Sequence, residues 1–252
     1  MISRRASSMH QKMMTLTTAV VCLLSLLSST GVVVSAFSSP LSRFRQRRAA
    51  QKVQDNLLTR RTIQSFEPNL PEDWELKLEK ALEAAVSAPN HKRTEPWRFH
   101  LLKNQSIRNV CELNAQLVTE KKGAAAGDKK LKRWLDMPGW LVVTCRKNGS
   151  LSSDDDNNNN NNSFDDPMSL AREDYAACCC AVQNLCLSLH AQGMGTKWTT
   201  GPVNFHPDFS KAVGFDAQEE YVVGTIWFGT PAVVPSAPVK KMSLENVLVR
   251  HD

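Results

Sequence analysis

Apolar side chains recur at helical spacing from Trp74 onward. Trp74, Leu78, Ala81, Leu82 and Ala85 fall at i, i+4, i+7, i+8 and i+11, which predicts one buried helix face between Pro71 and Pro89. Pro71 suits a first turn, Glu72 and Asp73 complement the helix dipole, and Pro89 disfavours helical backbone in the residue before it. The following "WRFHLL" reads as a strand. Ile107, Val110, Cys111, Asn114, Leu117 and Val118 share a second helix face, and the basic run from Lys129 to Arg133 reads as a connector. "GWLVVTCR" is a continuous apolar run of strand length. Ser169 to Gln192 is apolar on nearly all sides, predicting a helix buried by its neighbours or by a partner subunit, with Gly193 and Gly195 ending it. "HPDFSKAVGF" reads as a short helix, "EYVVGTIWFG" as a buried strand, and everything from Thr230 as a Pro-rich tail. Ahead of these, "VQDNLLTRRTIQSFEP" begins as a short amphipathic helix and becomes extended at Arg60 and Arg61. Helices alternating with a few strands place residues 51–252 in one α/β or α+β domain.

The first fifty residues break this pattern. Arg4, Arg5 and Lys12 precede the apolar "AVVCLLSLLSSTGVVVSA", which ends in the small-residue triplet Val34, Ser35, Ala36. Ser25, Ser28, Ser29, Thr30 and Gly31 dilute the run, favouring a cleaved signal peptide over residues 1–36 rather than a retained anchor. Residues 37–50 are rich in Arg and Ser and hold no acid, as transit peptides are. The succession, with Phe37 after the cut, resembles the bipartite presequences of plastids of red secondary endosymbiotic origin. A plastid destination is the expectation, with secretion or an endomembrane lumen as the alternative. A second break, at about 148–166, is the low-complexity "NGSLSSDDDNNNNNNSFDD", which cannot bury a core and reads as a disordered insertion.

Charge narrows the partners. The net charge is +6, but residues 1–50 hold seven Lys/Arg and no acid, leaving 24 basic against 25 acidic residues in the rest. A nearly neutral domain is a poor match for a nucleic-acid backbone, and no membrane association is expected of the mature form. Seven cysteines show no CxxC pair and no Cys/His ligand spacing, so neither a zinc site nor any other metal site is expected. Cys178, Cys179 and Cys180 point in three directions around a helix and read as small buried side chains.

The familiar catalytic devices are absent: no GxSxG elbow, no GxGxxG, no phosphate loop and no HExxH. The histidines outside the presequence are scattered at 91, 100, 190, 206 and 251. No nucleophile and base can be paired from spacing, so no catalytic acid or base is nominated, and a cofactor is expected to carry the hard chemistry.

"RRTIQSF", "SAPNHKRTEPWRFHLL", "DMPGWLVVTCR", "AACCCAVQNLCLSLHAQGMGTKWTTGP" and "GFDAQEEYVVGTIWFGTP" occur in the order and spacing of the nitroreductase family. The resemblance covers about residues 52–232 and looks nearest to the small bacterial branch with the motif APDHKxxQPW. It implies an α+β fold with a mixed, mostly antiparallel sheet flanked by helices, a domain-swapped homodimer, and FMN at the subunit interface. It implies that NAD(P)H reduces the flavin, which then reduces a nitroaromatic, quinone or activated alkene. It also admits specialised relatives that destroy flavin or dehalogenate, and a flavin-binding protein without turnover. Carried over residue by residue, it places Arg60, Thr62 and the adjacent Arg61 at the flavin phosphate. Ser87, Asn90 and His91 fall at one flavin-contacting segment and Trp198, Thr199 and Thr200 at another. Two departures stand out: Thr199 where the branch commonly has Arg, and Glu95 where it has Gln. Ala232 and Val233 stand where many relatives carry a basic residue after the final "GTP", with Lys240 and Lys241 further along.

Overall fold

The sheet is built from four strands in the order β1-β2-β4-β3, every neighbouring pair antiparallel. They are β1 (Trp97–Leu101), β2 (Gly139–Arg146), β3 (Gly195–Thr199) and β4 (Glu220–Gly229). The computed structural model describes residues 40–147 and 167–251. The expected signal peptide and the Asn-rich insertion lie outside them. The expected transit segment is described only from Pro40, where helix α1 (Pro40–Thr59) begins. Contacts divide the chain between Lys52 and Val53, and the sheet belongs wholly to the second unit.

Alternation along β2 sends successive side chains to opposite faces, each with its own core. Leu141, Val143 and Cys145 join α2 (Trp74–Val86) and α5 (Pro167–Ala191) in one cluster. Trp140 and Val142 join α3 (Asn104–Lys122), α4 (Ala124–Leu135) and α6 (Phe209–Val213) in the other. The second cluster centres on Trp134, Trp140 and Trp227, whose rings meet edge to face with centroids 5.2 to 5.6 Å apart. Thr144, His100 and Glu220 pin β1, β2 and β4 together. The Thr144 hydroxyl donates to the Glu220 carboxylate, and His100 Nε2 lies 2.9 Å from the same oxygen.

The α2 periodicity is as expected, with Leu78, Ala81 and Ala85 buried. Helix α5 is less uniformly covered than its letters suggest. Ala177, Cys178, Ala181, Val182, Leu185, Cys186 and Leu189 face α2 and the sheet, while Ala176, Cys180 and Gln183 are exposed. Alanine and cysteine expose little area, so a helix rich in them can look apolar all round and still have a wet side. Gly193, at φ +79°, ends it: Met194 N–H donates back to Leu189 O at 2.9 Å.

Two elements differ from expectation. The basic connector is helix α4, because Lys and Arg are good helix formers and only Trp134 and Gly127 of this helix are buried. β3 lacks an apolar alternation, since Lys197 and Thr199 are only partly covered and Trp198 is exposed. Pairing with β4, rather than a pattern of its own, makes it a strand. Beyond Thr230 the tail is exposed, with one antiparallel bridge from Pro231 to Phe66.

Candidate functional site

Arg60, Arg61 and Thr62 leave α1 along the edge strand. Thr62 bridges Thr196 in parallel, and Ile63 N–H donates to Thr196 O at 3.0 Å, so backbone pairing fixes this segment. This parallel bridge is isolated and lies outside the four strands, which pair antiparallel throughout. Arg61 is engaged locally: its Nη1 donates to Leu58 O at 2.6 Å and to Arg60 O at 2.9 Å, satisfying carbonyls at the end of α1. Arg60 makes no side-chain hydrogen bond among the described residues. Its charge is felt on α5. Burial, then Arg60, then Arg61 hold His190 below the usual histidine range, and Thr59 Oγ1 lies 3.0 Å from His190 Nε2. Burial pushes the Cys186 thiol up against the opposing pull of the Thr196 hydrogen bond and of Arg60.

Trp198 and Thr199 continue along β3 from Thr196 and Thr200 follows its last residue, all within about 13 Å of the Thr62 bridge at a strand's rise. The Trp198 indole lies so close over Gly224 that a Cβ there would overlap it, which explains the glycine inside "VVGTIWFG". Buried Asn204 pins the turn after Thr200. Its Oδ1 accepts Gly201 N–H at 2.9 Å and its Nδ2 donates to Thr225 Oγ1 at 2.8 Å.

Ser87, Asn90 and His91 lie elsewhere, at the corner between α2 and β1. Ser87 Oγ donates to Glu83 O at 2.9 Å, closing the last turn of α2. Asn90 staples the corner: its Oδ1 accepts Glu95 N–H at 2.8 Å, and its Nδ2 donates to Thr94 Oγ1 at 2.9 Å. Thr94 donates onward to Asp174 Oδ1 at 2.5 Å. His91 Nε2 stands 3.7 Å from Glu173 Oε2. Between the staples, Lys92, Arg93 and Glu95 have φ of +51°, +53° and +44°, a conformation that costs a non-glycine residue about 1 to 2 kcal/mol.

Two of the three predicted segments, Arg60–Thr62 and Trp198–Thr200, therefore come together on β3. The third does not join them. Its contacts on α5 are Glu173 and Asp174, whereas the Arg60 end meets His190. Seventeen helical residues separate these, about 25 Å of helix, a gap longer than a flavin mononucleotide. Two grooves, of about 300 Å³ beside His206, Glu220 and Tyr221 and about 500 Å³ beside Trp74, Leu82 and Leu101, are lined by none of the nine candidates.

The chemistry of the donors suits a phosphate at Arg60: a guanidinium with no side-chain hydrogen bond among the described residues, two positions before the exposed Thr62. Cys111 and Cys178 are unsuited to nucleophilic work. Burial pushes Cys111 up to about 12, and Cys178 is pushed up by its hydrogen bond to Cys145 and by burial. No group of three potential metal-ligating side chains occurs among the described residues, and none of their helices is long and apolar enough to cross a membrane. The sequence reading missed Thr94, Asp174 and Asn204. Only Asp174 left a signal, as an acid beside the small-residue run of α5.

Similarity to known proteins agrees with this architecture. YdjA of Escherichia coli K12, described as an NAD(P)H nitroreductase, is 25% identical over 171 residues, 65% of this chain and 80% of that protein. A nitroreductase-like family protein from Bacillus cereus superposes with a TM-score of 0.64 at 24% identity, covering 79% of this chain and 96% of that one. A nitroreductase of Desulfovibrio desulfuricans solved with FMN gives 0.57 at 19%, covering 79% and 96%. The sequence profile of the Nitroreductase family matches residues 57–230, and with the α+β sheet and its helical layers this establishes that the chain belongs to the nitroreductase family of oxidoreductases.

Proposed function

We propose that this protein is an FMN-dependent oxidoreductase that takes reducing equivalents from NAD(P)H and delivers them to an electron-poor acceptor such as a nitroaromatic, a quinone or an activated alkene. The observation that carries this reading is the division of the candidate site. An unengaged Arg60 sits at one end of α5 and a preformed polar corner at the other, too far apart for one flavin to touch both within one copy. Two copies related by a twofold axis solve this, because each then lends its corner to the other's Arg60. Bound FMN would supply the two-electron relay between donor and acceptor.

Within that arrangement each side chain has a defined task. Arg60 offers a planar fork to the phosphate, with Thr62 Oγ1 beside it. Arg61 holds the carbonyls at the end of α1 from which Arg60 projects. Thr199 and Thr200 supply neutral hydroxyls along β3, where an arginine would supply charge. The Ser87–His91 corner presents backbone and short polar groups to the edge of the ring. No side chain is required as a catalytic acid or base.

Anaerobic absorbance spectroscopy of the purified mature protein tests the proposal. Flavin bands that bleach on adding NADPH are the expected result. A colourless protein that takes up no FMN overturns the cofactor assignment, and bound FMN that neither NADPH nor NADH bleaches selects a flavin-binding role without turnover. The address proposed for residues 1–50 is a plastid. Its support is the basic, acid-free composition behind a signal-like run, and a fluorescent fusion to residues 1–50 that accumulates outside plastids would overturn it.

A further inference from the structure

The loop from His91 to Glu95 holds three non-glycine residues in left-handed backbone within four positions, and a continuous chain of polar groups keeps it there. Glu95 N–H donates to Asn90 Oδ1, Asn90 Nδ2–H to Thr94 Oγ1, and Thr94 Oγ1–H to Asp174 Oδ1. Asp174 is 1% exposed and sits on α5, so the last acceptor belongs to the rigid body of the fold. Its charge makes this terminal bond the strongest in the chain and polarises the others toward it. Thr94 falls on a free position of the APDHKxxQPW motif, so the motif does not account for this link.

We propose that Asp174 is a positioning residue for the cofactor: through the Thr94 hydroxyl and the Asn90 carboxamide it locks the His91–Glu95 loop in its left-handed form and so sets how tightly, and in what orientation, the flavin ring is held. This rests on the flavin reading above. Losing the Thr94–Asp174 bond leaves the loop the weaker His91–Glu173 contact to α5, 3.7 Å long and between exposed groups. The loop then relaxes toward ordinary backbone, carrying Ser87, Asn90 and His91 out of register with the ring.

The test compares Thr94→Val, Thr94→Ser and Asp174→Asn in the mature protein, with three readouts. These are FMN affinity by fluorescence quenching, visible circular dichroism of bound flavin, and tryptic cleavage after Lys92 or Arg93 in the flavin-free protein. Thr94→Val is expected to weaken FMN binding about tenfold, the effect of one lost charge-assisted bond. It should also change the visible dichroism and speed cleavage at the loop. Thr94→Ser keeps the hydroxyl and should restore all three to within about twofold. Thr94→Val that binds FMN with unchanged affinity and dichroism overturns the proposal, even if Asp174→Asn fails to fold. If the unaltered protein takes up no FMN, the flavin reading is what fails. A cleavage contrast between Val and Ser then still demonstrates the clamp, and its absence removes the clamp as well.

Discussion

The two ends of α5 carry the two halves of the candidate site by different means. At the His190 end, Arg60–Thr62 is held by backbone pairing to β3, which no side-chain substitution removes directly. At the Asp174 end, the His91–Glu95 loop closes on itself with Thr94 N–H donating to His91 O and is tied to α5 by side chains, against left-handed backbone. Backbone pairing gives a fixed anchor for a fixed group, as a phosphate requires. A side-chain clamp gives a loop whose position a single hydroxyl can set, so on the proposed reading ring orientation is the tunable half of the site.

The largest expected effect breaks the fixed half chemically without moving it. Arg60→Ala should weaken FMN binding by about 1.5 to 3 kcal/mol, roughly ten- to hundredfold, with little change in the melting temperature of the flavin-free protein. Mixing that variant with Thr94→Val under conditions of subunit exchange then asks whose halves meet. If each site draws on two copies, mixed dimers contain one intact site, and tight binding should return at about a quarter of the sites. No recovery after exchange would mean that both halves serve the same flavin from one chain.

Moving the anchor is the next step down. A Cβ on Gly195 would stand 2.5 Å from Ile63 Cγ1 and 2.9 Å from Pro231 Cγ. Gly195→Ala should therefore push the Arg60–Ile63 segment off β3 and cost about 1 to 3 kcal/mol, the overpacking range, since neither buried β-branched Ile63 nor the Pro231 ring is a flexible side-chain end. Chemical denaturation measures the loss, and FMN affinity should fall with it.

The clamped half predicts the opposite sign. Arg93→Gly at φ +53° relieves left-handed strain and should stabilise the flavin-free protein by about 0.5 to 1 kcal/mol after the entropy of glycine is counted, raising the melting temperature by about 2 °C. The same change at Arg61, which has no positive φ, should destabilise. A loss at both positions would show that the loop is unstrained.

This contrast also explains what could be read from the sequence. Helix α2, strands β2 and β4 and the class of fold were legible because their apolar spacing reports burial directly. β3 was not, since an edge strand with Gly195, Lys197 and Thr199 gains its state from its neighbour. The nine candidate residues came from a family resemblance, and the geometry divides them between the ends of α5. Thr94 and Asp174, eighty residues apart, could not be paired from the sequence because nothing local marks either as the other's partner. The Arg60–His190 relation was hidden for the same reason: it arises only when α1 and the last turn of α5 meet.

That relation yields the smallest effect and the finest test of the fixed half. His190 sits below its ordinary value of 6.5, chiefly through burial and then through Arg60 and Arg61, so the folded protein prefers it neutral. The unfolded chain binds that proton more readily, which makes stability from this group complete above about pH 7.5 and progressively lost as pH falls through 6.5 toward the depressed folded value. His190→Gln, which can still reach Thr59, should flatten the decline in melting temperature between pH 7.5 and 5.5. Arg60→Ala should flatten it only partly, because burial remains the larger cause. A slope unchanged by Arg60→Ala would mean that the guanidinium points away from α5, and the phosphate anchor would then have to be sought along Thr199 and Thr200 instead.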